Sequence, residues 1–114
     1  PSFAAKVRAG TREERWMGTA DVPNFFRKPW GPGWALVGDA GYMKDPTTGL
    51  GIADAFRDAG LLAAALDNVL AGRRAAEDAL ASYQQQRDEA AIPMYELTLQ
   101  MASGQLGPPA AASA

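Results

Sequence analysis

The sequence contains neither cysteine nor histidine. Without cysteine there is no disulfide framework, no thiolate nucleophile and no Cys-ligated zinc or iron–sulfur cluster. Without histidine, a Ser-His-Asp triad, an imidazole base and a haem-type ligand all fall away. No metal site is expected. Long apolar runs are missing as well: none approaches the roughly 18 residues of a membrane span, and no signal-peptide pattern opens the chain. Nor does one charge dominate. The 11 Lys+Arg face 13 Asp+Glu, a net charge of −2 with a pI near 5.0, which argues against a nucleic-acid or anionic-membrane binder.

What is present is the composition of one small folded domain: 114 residues, 47% hydrophobic and 21% charged. Carboxylates, Lys, Tyr, Ser/Thr and the backbone remain as chemical groups, so a demanding reaction needs a cofactor. Six basic residues (Lys6, Arg8, Arg12, Arg15, Arg27, Lys28) against three acidic ones (Glu13, Glu14, Asp21) make the first 33 residues mildly basic, and the remainder is acidic. The lack of cysteine fits a cytoplasmic protein. Pro1 is not an initiator residue, so an upstream segment is expected.

Along the chain, residues 3–9 read as a short helix ending at Gly10. From Thr11 to Gly33 the pattern is irregular, broken by Pro23, Pro29 and Pro32, yet it holds Trp16, Phe25, Phe26 and Trp30. That stretch is therefore expected to be an ordered loop or edge strand packed on something apolar. Trp34 to Val37, apolar throughout and bounded by glycines, predicts a buried central strand. A helix follows on the three-and-four spacing of Ile52, Ala55, Phe56, Ala59, Leu62, Ala63, Leu66, Val69 and Leu70. Asp54, Arg57, Asp58, Asp67 and Asn68 then fall on the opposite face, and Gly72 can end the helix. A second long helix spans about Ala76 to Ala102. Its expected stripe is Leu80, Tyr83, Ala90, Met94, Leu97 and Met101, with Arg87 interrupting and a kink or break at Pro93. The tail, 104–114, has no period and is expected to be disordered.

One buried strand and two or three helices make an odd inventory for an independent fold. A two-sided strand needs neighbours on both edges, and no second strand of that type is evident. The fold class expected is thus an α/β fragment, mostly helical with one buried strand, cut from a larger protein.

The segment that carries chemistry runs from Gly38 to Ile52. It reads as a strand end, an acidic residue (Asp39), a loop with Pro46, two glycines (Gly49, Gly51) and a helix. Ligands of α/β sheets lie beyond the carboxyl ends of strands, which places Asp39 at a ligand site. A carboxylate there accepts hydrogen bonds from two hydroxyls of a sugar or polyol, coordinates Mg²⁺, or caps the following turn. Glycines at 49 and 51 let backbone approach a flat ligand, and the helix N-terminus behind them suits a carbonyl oxygen or an anion. Each element alone commonly means a tight turn; in this order, with Asp58-Ala59 further along the helix, they are far more specific.

In that order, Gly33-Trp-Ala-Leu-Val-Gly-Asp-Ala-Gly41, Asp45-Pro-Thr-Thr-Gly-Leu-Gly-Ile52 and Asp54-Ala-Phe-Arg-Asp-Ala59 resemble the second FAD-binding motif of the aromatic hydroxylase family of flavoprotein monooxygenases. Flavin halogenases and geranylgeranyl-reductase-like oxidoreductases share it. Similarity to the C-terminal part of such enzymes extends over most of residues 21–102. The resemblance implies an FAD/NAD(P)-binding, Rossmann-like parent domain, with residues 34–103 its C-terminal part and residues 1–33 the aromatic- and Pro/Gly-rich end of a substrate-side segment. It implies FAD as cofactor, NAD(P)H as co-substrate and an organic substrate, aromatic or polyketide-like. Asp39 would hydrogen-bond the ribityl chain, following Gly38 at the strand end, and Pro46 would lie beside the flavin ring. Gly49, Leu50, Gly51 and Ile52 would give backbone contacts at the flavin's N1–C2=O edge. No catalytic residue follows; many members carry His where Tyr42 stands.

The family's first fingerprint, Gly-x-Gly-x-x-Gly, is absent from these residues, as is its Asp-Gly motif. The missing N-terminal part of the enzyme is therefore an expected partner, and the chain alone is expected to bind FAD weakly or not at all. A second reading is a non-catalytic helical interaction module or flavoenzyme remnant, with the Leu80–Met101 face as partner surface. Nucleotide binding without redox chemistry is disfavoured, because the Gly49-Leu-Gly51 turn lacks the Lys-Ser/Thr pair of a phosphate loop.

Overall fold

The computed structural model describes residues 1–19 and 21–104. Apart from Gly104, the expected tail lies outside the described residues. The first helix, α1 (Phe3–Ala9), starts at Ser2, whose hydroxyl accepts from the Ala5 N–H at 3.3 Å. Gly10 does end it, but with φ −77, so the helix passes into extended chain without a left-handed glycine cap. Nothing on α1 is buried.

Two short antiparallel pairs follow. Strand β1 (Phe25–Phe26) pairs with β4 (Tyr42–Met43) in the register Phe25↔Met43 and Phe26↔Tyr42. Between them, β2 (Trp30–Gly31) pairs with β3 (Trp34–Ala35). This corrects the expected buried strand over 34–37: β3 has two residues, and Trp34 is 48% exposed. Pro32 and Gly33 are the reason. Proline presets the turn and Gly33 takes a left-handed φ of +79, so the chain doubles back and Trp34 pairs with Gly31. The Trp34 ring then lies against Gly31, where a Cβ would stand 2.6 Å from the indole.

The helices α2 (Gly51–Leu70) and α3 (Ala76–Ala102) supply most of the packing. Helix α2 ends as expected near Gly72, which has φ +68 and donates to the Val69 carbonyl at 3.0 Å. Glu77 and Asp78 complement the positive end of α3. Where the pair meets, Ala65, Ala79 and Tyr83 are buried with Leu61, Leu62 and Val69 against them. The small alanines let the helices approach, and the Tyr83 hydroxyl donates to the Leu36 carbonyl at 2.7 Å, tying α3 to the segment after β3.

Three further expectations are corrected. Helix α3 is not broken at Pro93, which sits inside it on the exposed side. Its buried face is Leu80, Tyr83, Arg87, Ala91 and Thr98, whereas Ala90 and Leu97 are exposed. Arg87 is thus no interruption: it is 1% exposed and sits in the middle of the buried stripe. Helix α2 follows its apolar pattern only in part: Leu62 and Val69 of the expected stripe do pack on the core, but its first two turns face the other way. Asp54 and Asp58 are buried, whereas Ile52, Phe56, Ala59, Ala63, Leu66 and Leu70 form an exposed ridge, with Phe56 77% and Ile52 76% open. The two aspartates turn inward because their partners lie there: Lys44 pairs with Asp54, and Arg57 of the same helix pairs with both.

The described chain is mostly helical with two small antiparallel sheets and no parallel strand among the described residues. Its radius of gyration is 20.2 Å, against about 13 Å for a compact chain of this length. No helix among the described residues is long and apolar enough to cross a membrane.

Candidate functional site

A cavity of about 530 Å³ opens between the Gly38–Met43 segment, the Lys44–Leu50 loop and the start of α2. Gly38, Asp39, Pro46, Gly49, Leu50, Gly51 and Ile52 all line it. Asp39 lies in a 3-10 turn, Gly38–Ala40, that leaves the extended chain at Val37. Gly38 has a left-handed φ of +58 and packs on α2, its absent Cβ 3.1 Å from the Cβ of Ala55. That close approach brings the Asp39 turn to the helix N-terminus. Asp39 itself is exposed, and among the described residues no donor reaches its carboxylate.

The opposite side of the cavity is a second 3-10 turn, Pro46–Thr48, capped by Asp45. The Asp45 carboxylate accepts from the Thr47 N–H at 2.9 Å and from the Thr47 hydroxyl. These bonds favour its ionised form and hold it below the usual carboxylate range. Its N–H donates to Asn24 Oδ1 at 2.7 Å, and Thr48 meets Thr98 of α3 at 3.3 Å. The loop is therefore fastened at both ends. Gly49 closes the turn with φ +65, its N–H donating to the Pro46 carbonyl at 2.9 Å.

Helix α2 begins with Leu50 in the N-cap position, so no side chain caps its first N–H groups. A Cβ on Gly49 would meet no atom within 4 Å, and one on Gly51 would meet only Asp39 Oδ1, at 4.0 Å. Backbone N–H groups, a carboxylate and open space for a flat group thus share one wall.

Three further cavity residues carry charge or a hydroxyl: Tyr42, Lys44 and Asp54. Lys44 is buried and ion-paired with Asp54 in the first turn of α2. Behind them Arg57 donates to Asp54 at 2.8 Å, to Asp58 at 2.8 Å and to the Tyr42 hydroxyl at 2.8 Å. Burial lowers the Arg57 affinity for its proton, but the Asp58 bonds and charge more than reverse this. The Tyr42 phenol is pushed far up, first by burial and then by the Asp58 and Asp54 charges, so it stays neutral. Spacing gave no sign of this network. An acidic residue in a first helical turn reads as a dipole complement, and a loop lysine ten positions earlier has no periodic relation to it.

Asp58, fully buried, keeps one oxygen, Oδ2, without a partner among the described residues; so does Arg87 with Nη1. No group of His, Cys, Asp or Glu among the described residues is arranged to hold a metal ion.

No curated protein and no solved structure matches this chain. A family model described as "FAD binding domain" does match, over residues 4–98, which spans every residue around the cavity. The chain belongs to the FAD binding domain family.

Proposed function

We propose that this chain forms the flavin-facing part of an FAD-dependent oxidoreductase. The reading is a monooxygenase that takes electrons from NAD(P)H and acts on a small organic substrate in the cytoplasm, its parent domain Rossmann-like. The observation that carries it is the Asp39 carboxylate standing beside the uncapped N-terminus of α2 across Gly51. The residues present fit a flavin. The cavity volume suits a tricyclic ring, and side chains at 49 or 51 would project into space that the glycines leave open. The only carboxylate on that wall without a protein partner among the described residues is Asp39.

Bound FAD would supply the redox chemistry. Asp39 accepts hydrogen bonds from ribityl hydroxyls; a carboxylate takes two at once. The N–H groups of Gly51 and Ile52, with the helix dipole behind them, stabilise negative charge on the ring's carbonyl edge. Pro46 forms an apolar side wall and Leu50 holds the backbone in place. The pyrophosphate half of the cofactor needs a separate cradle, assigned to an N-terminal part of the enzyme. The exposed ridge from Ile52 to Leu70 supports this, because it begins on the cavity wall and offers an apolar surface to cover. Nucleic acid has no role in this reading.

The test is to produce the protein from its native reading frame, upstream codons included, and measure bound flavin by absorbance. Stoichiometric FAD in the wild type and its loss in Asp39→Ala support the reading; unchanged flavin in Asp39→Ala removes Asp39 from the site.

A further inference from the structure

We propose that Arg87 of α3, which does not line the cavity, is the positioning residue for the turn that carries Asp39, and that it acts through Arg27. Its significance for cofactor binding rests on the flavin reading above; the positioning itself does not.

The relay is continuous. Arg87 Nη2 donates to the Arg27 carbonyl at 3.0 Å. The Arg27 N–H donates to the Gly41 carbonyl at 2.9 Å, and Arg27 Nη1 donates to the Ala40 carbonyl at 3.1 Å. Gly41 in turn closes the Asp39 turn, its N–H donating to the Gly38 carbonyl at 2.8 Å. The Arg87 guanidinium is held flat by stacking, its Cζ 4.5 Å from the Phe26 ring centre, and is oriented by Asp88 at 2.6 Å and 2.8 Å. Phe26 is itself stacked on Tyr42 at 5.0 Å, so the guanidinium sits behind the β1–β4 pair.

Gly41 shows how closely the parts are fitted. A Cβ there would stand 3.2 Å from Arg87 Nη1, tighter than ordinary contact, so an added methyl would require the turn or the guanidinium to give way by a few tenths of an ångström. A planar fork with fixed directions makes this arrangement possible; an ammonium at the end of a flexible stem would not reproduce it. Burying such a cation is unfavourable unless its donors are used. Here Nε and Nη2 bond Asp88, and Nη2 also donates to the Arg27 carbonyl, while Nη1, beside Gly41, keeps no partner among the described residues.

Four variants test this in the ¹⁵N-labelled 114-residue chain: Arg87→Met, Arg87→Ala, Arg27→Ala and Leu80→Ala. Leu80→Ala removes buried apolar volume from α3 without changing a relay residue. Amide shifts and hydrogen exchange at Asp39, Ala40 and Gly41 are read by NMR. Arg87→Met and Arg27→Ala should move these amides and speed exchange at Gly41, whose N–H closes the turn, by about tenfold, as loss of one hydrogen bond to a charged donor does, and Leu80→Ala should not. Arg27 is exposed, so its variant keeps its fold even where Arg87→Met does not. Added guanidinium ion should return the amides of Arg87→Ala towards wild type. Turn amides that respond no more to Arg27→Ala and Arg87→Met than to Leu80→Ala overturn the proposal. Flavin content is measured separately on protein made from the native reading frame. Absence of FAD there in the wild type counts against the flavin reading alone, whereas moved amides uphold the relay.

Discussion

Gly38 meets Ala55 so closely that a Cβ on Gly38 would lie 3.1 Å from the Cβ of Ala55. The contact fastens the Asp39 turn to the second turn of α2, and Gly38 also holds a left-handed φ of +58. Gly38→Ala is expected to destabilise the chain by about 1–3 kcal/mol, from the backbone strain and the crowding together. Urea unfolding followed by circular dichroism measures it; a loss within error of zero would mean that the contact is slack.

Asp39 behaves differently. Its carboxylate has no protein partner among the described residues, so Asp39→Ala should leave stability within about 0.5 kcal/mol of wild type while removing flavin. Paired thermal melts and flavin content separate a binding role from a folding one.

Asp58 is the reverse case, fully buried and holding Arg57 against the Tyr42 hydroxyl. Asp58→Ala should cost about 2–3 kcal/mol, below the full range for breaking a buried pair because Arg57 is partly open to water and keeps Asp54. If denaturant titration shows less than half of that, the network contributes orientation and little stability.

Burial and the nearby Asp58 charge push the Tyr83 phenol up to about 12. Its proton leaves the unfolded chain near pH 10 and the folded chain only two units later. Stability from this group is therefore complete below pH 10 and falls as pH rises from there towards 12. Stability measured from pH 8 to 11.5 should decline in the wild type and decline less in Tyr83→Phe.

On the outer face of α2, Phe56→Glu should change the stability of this chain by no more than about 0.5 kcal/mol, since the ring touches solvent. The same change should abolish association with the part of the enzyme proposed to cover the ridge. Size-exclusion chromatography of the two pieces expressed together reads this directly.

Helix α2 was legible because twenty residues of three-and-four spacing leave a clear period, and Gly72 marks where it stops; α3 was legible as a helix from its length and composition, but its weaker period misplaced the buried stripe. The order of glycines and Asp39 pointed to one wall, and the structure places those residues around one cavity. The direction that the first two turns of α2 face was not legible. A periodic pattern shows that a helix has an apolar side, but only the neighbours decide whether that side turns inward, and here Lys44, Arg57 and Tyr42 draw Asp54 and Asp58 in. Arg87 was misread because it was sorted by charge; by position alone, 80, 83, 87 and 91 already form one stripe. The β1–β4 pairing had no signal at all, since two residues are too few to alternate.

The outward ridge of α2 also sets a clock. A polypeptide emerging from the ribosome with Ile52, Phe56, Leu66 and Leu70 on its outside offers chaperones and proteases a handle. With the partner proposed above, its abundance in a cell would depend on how soon that handle is hidden, a matter of rates, more than on the equilibrium between folded and unfolded chain.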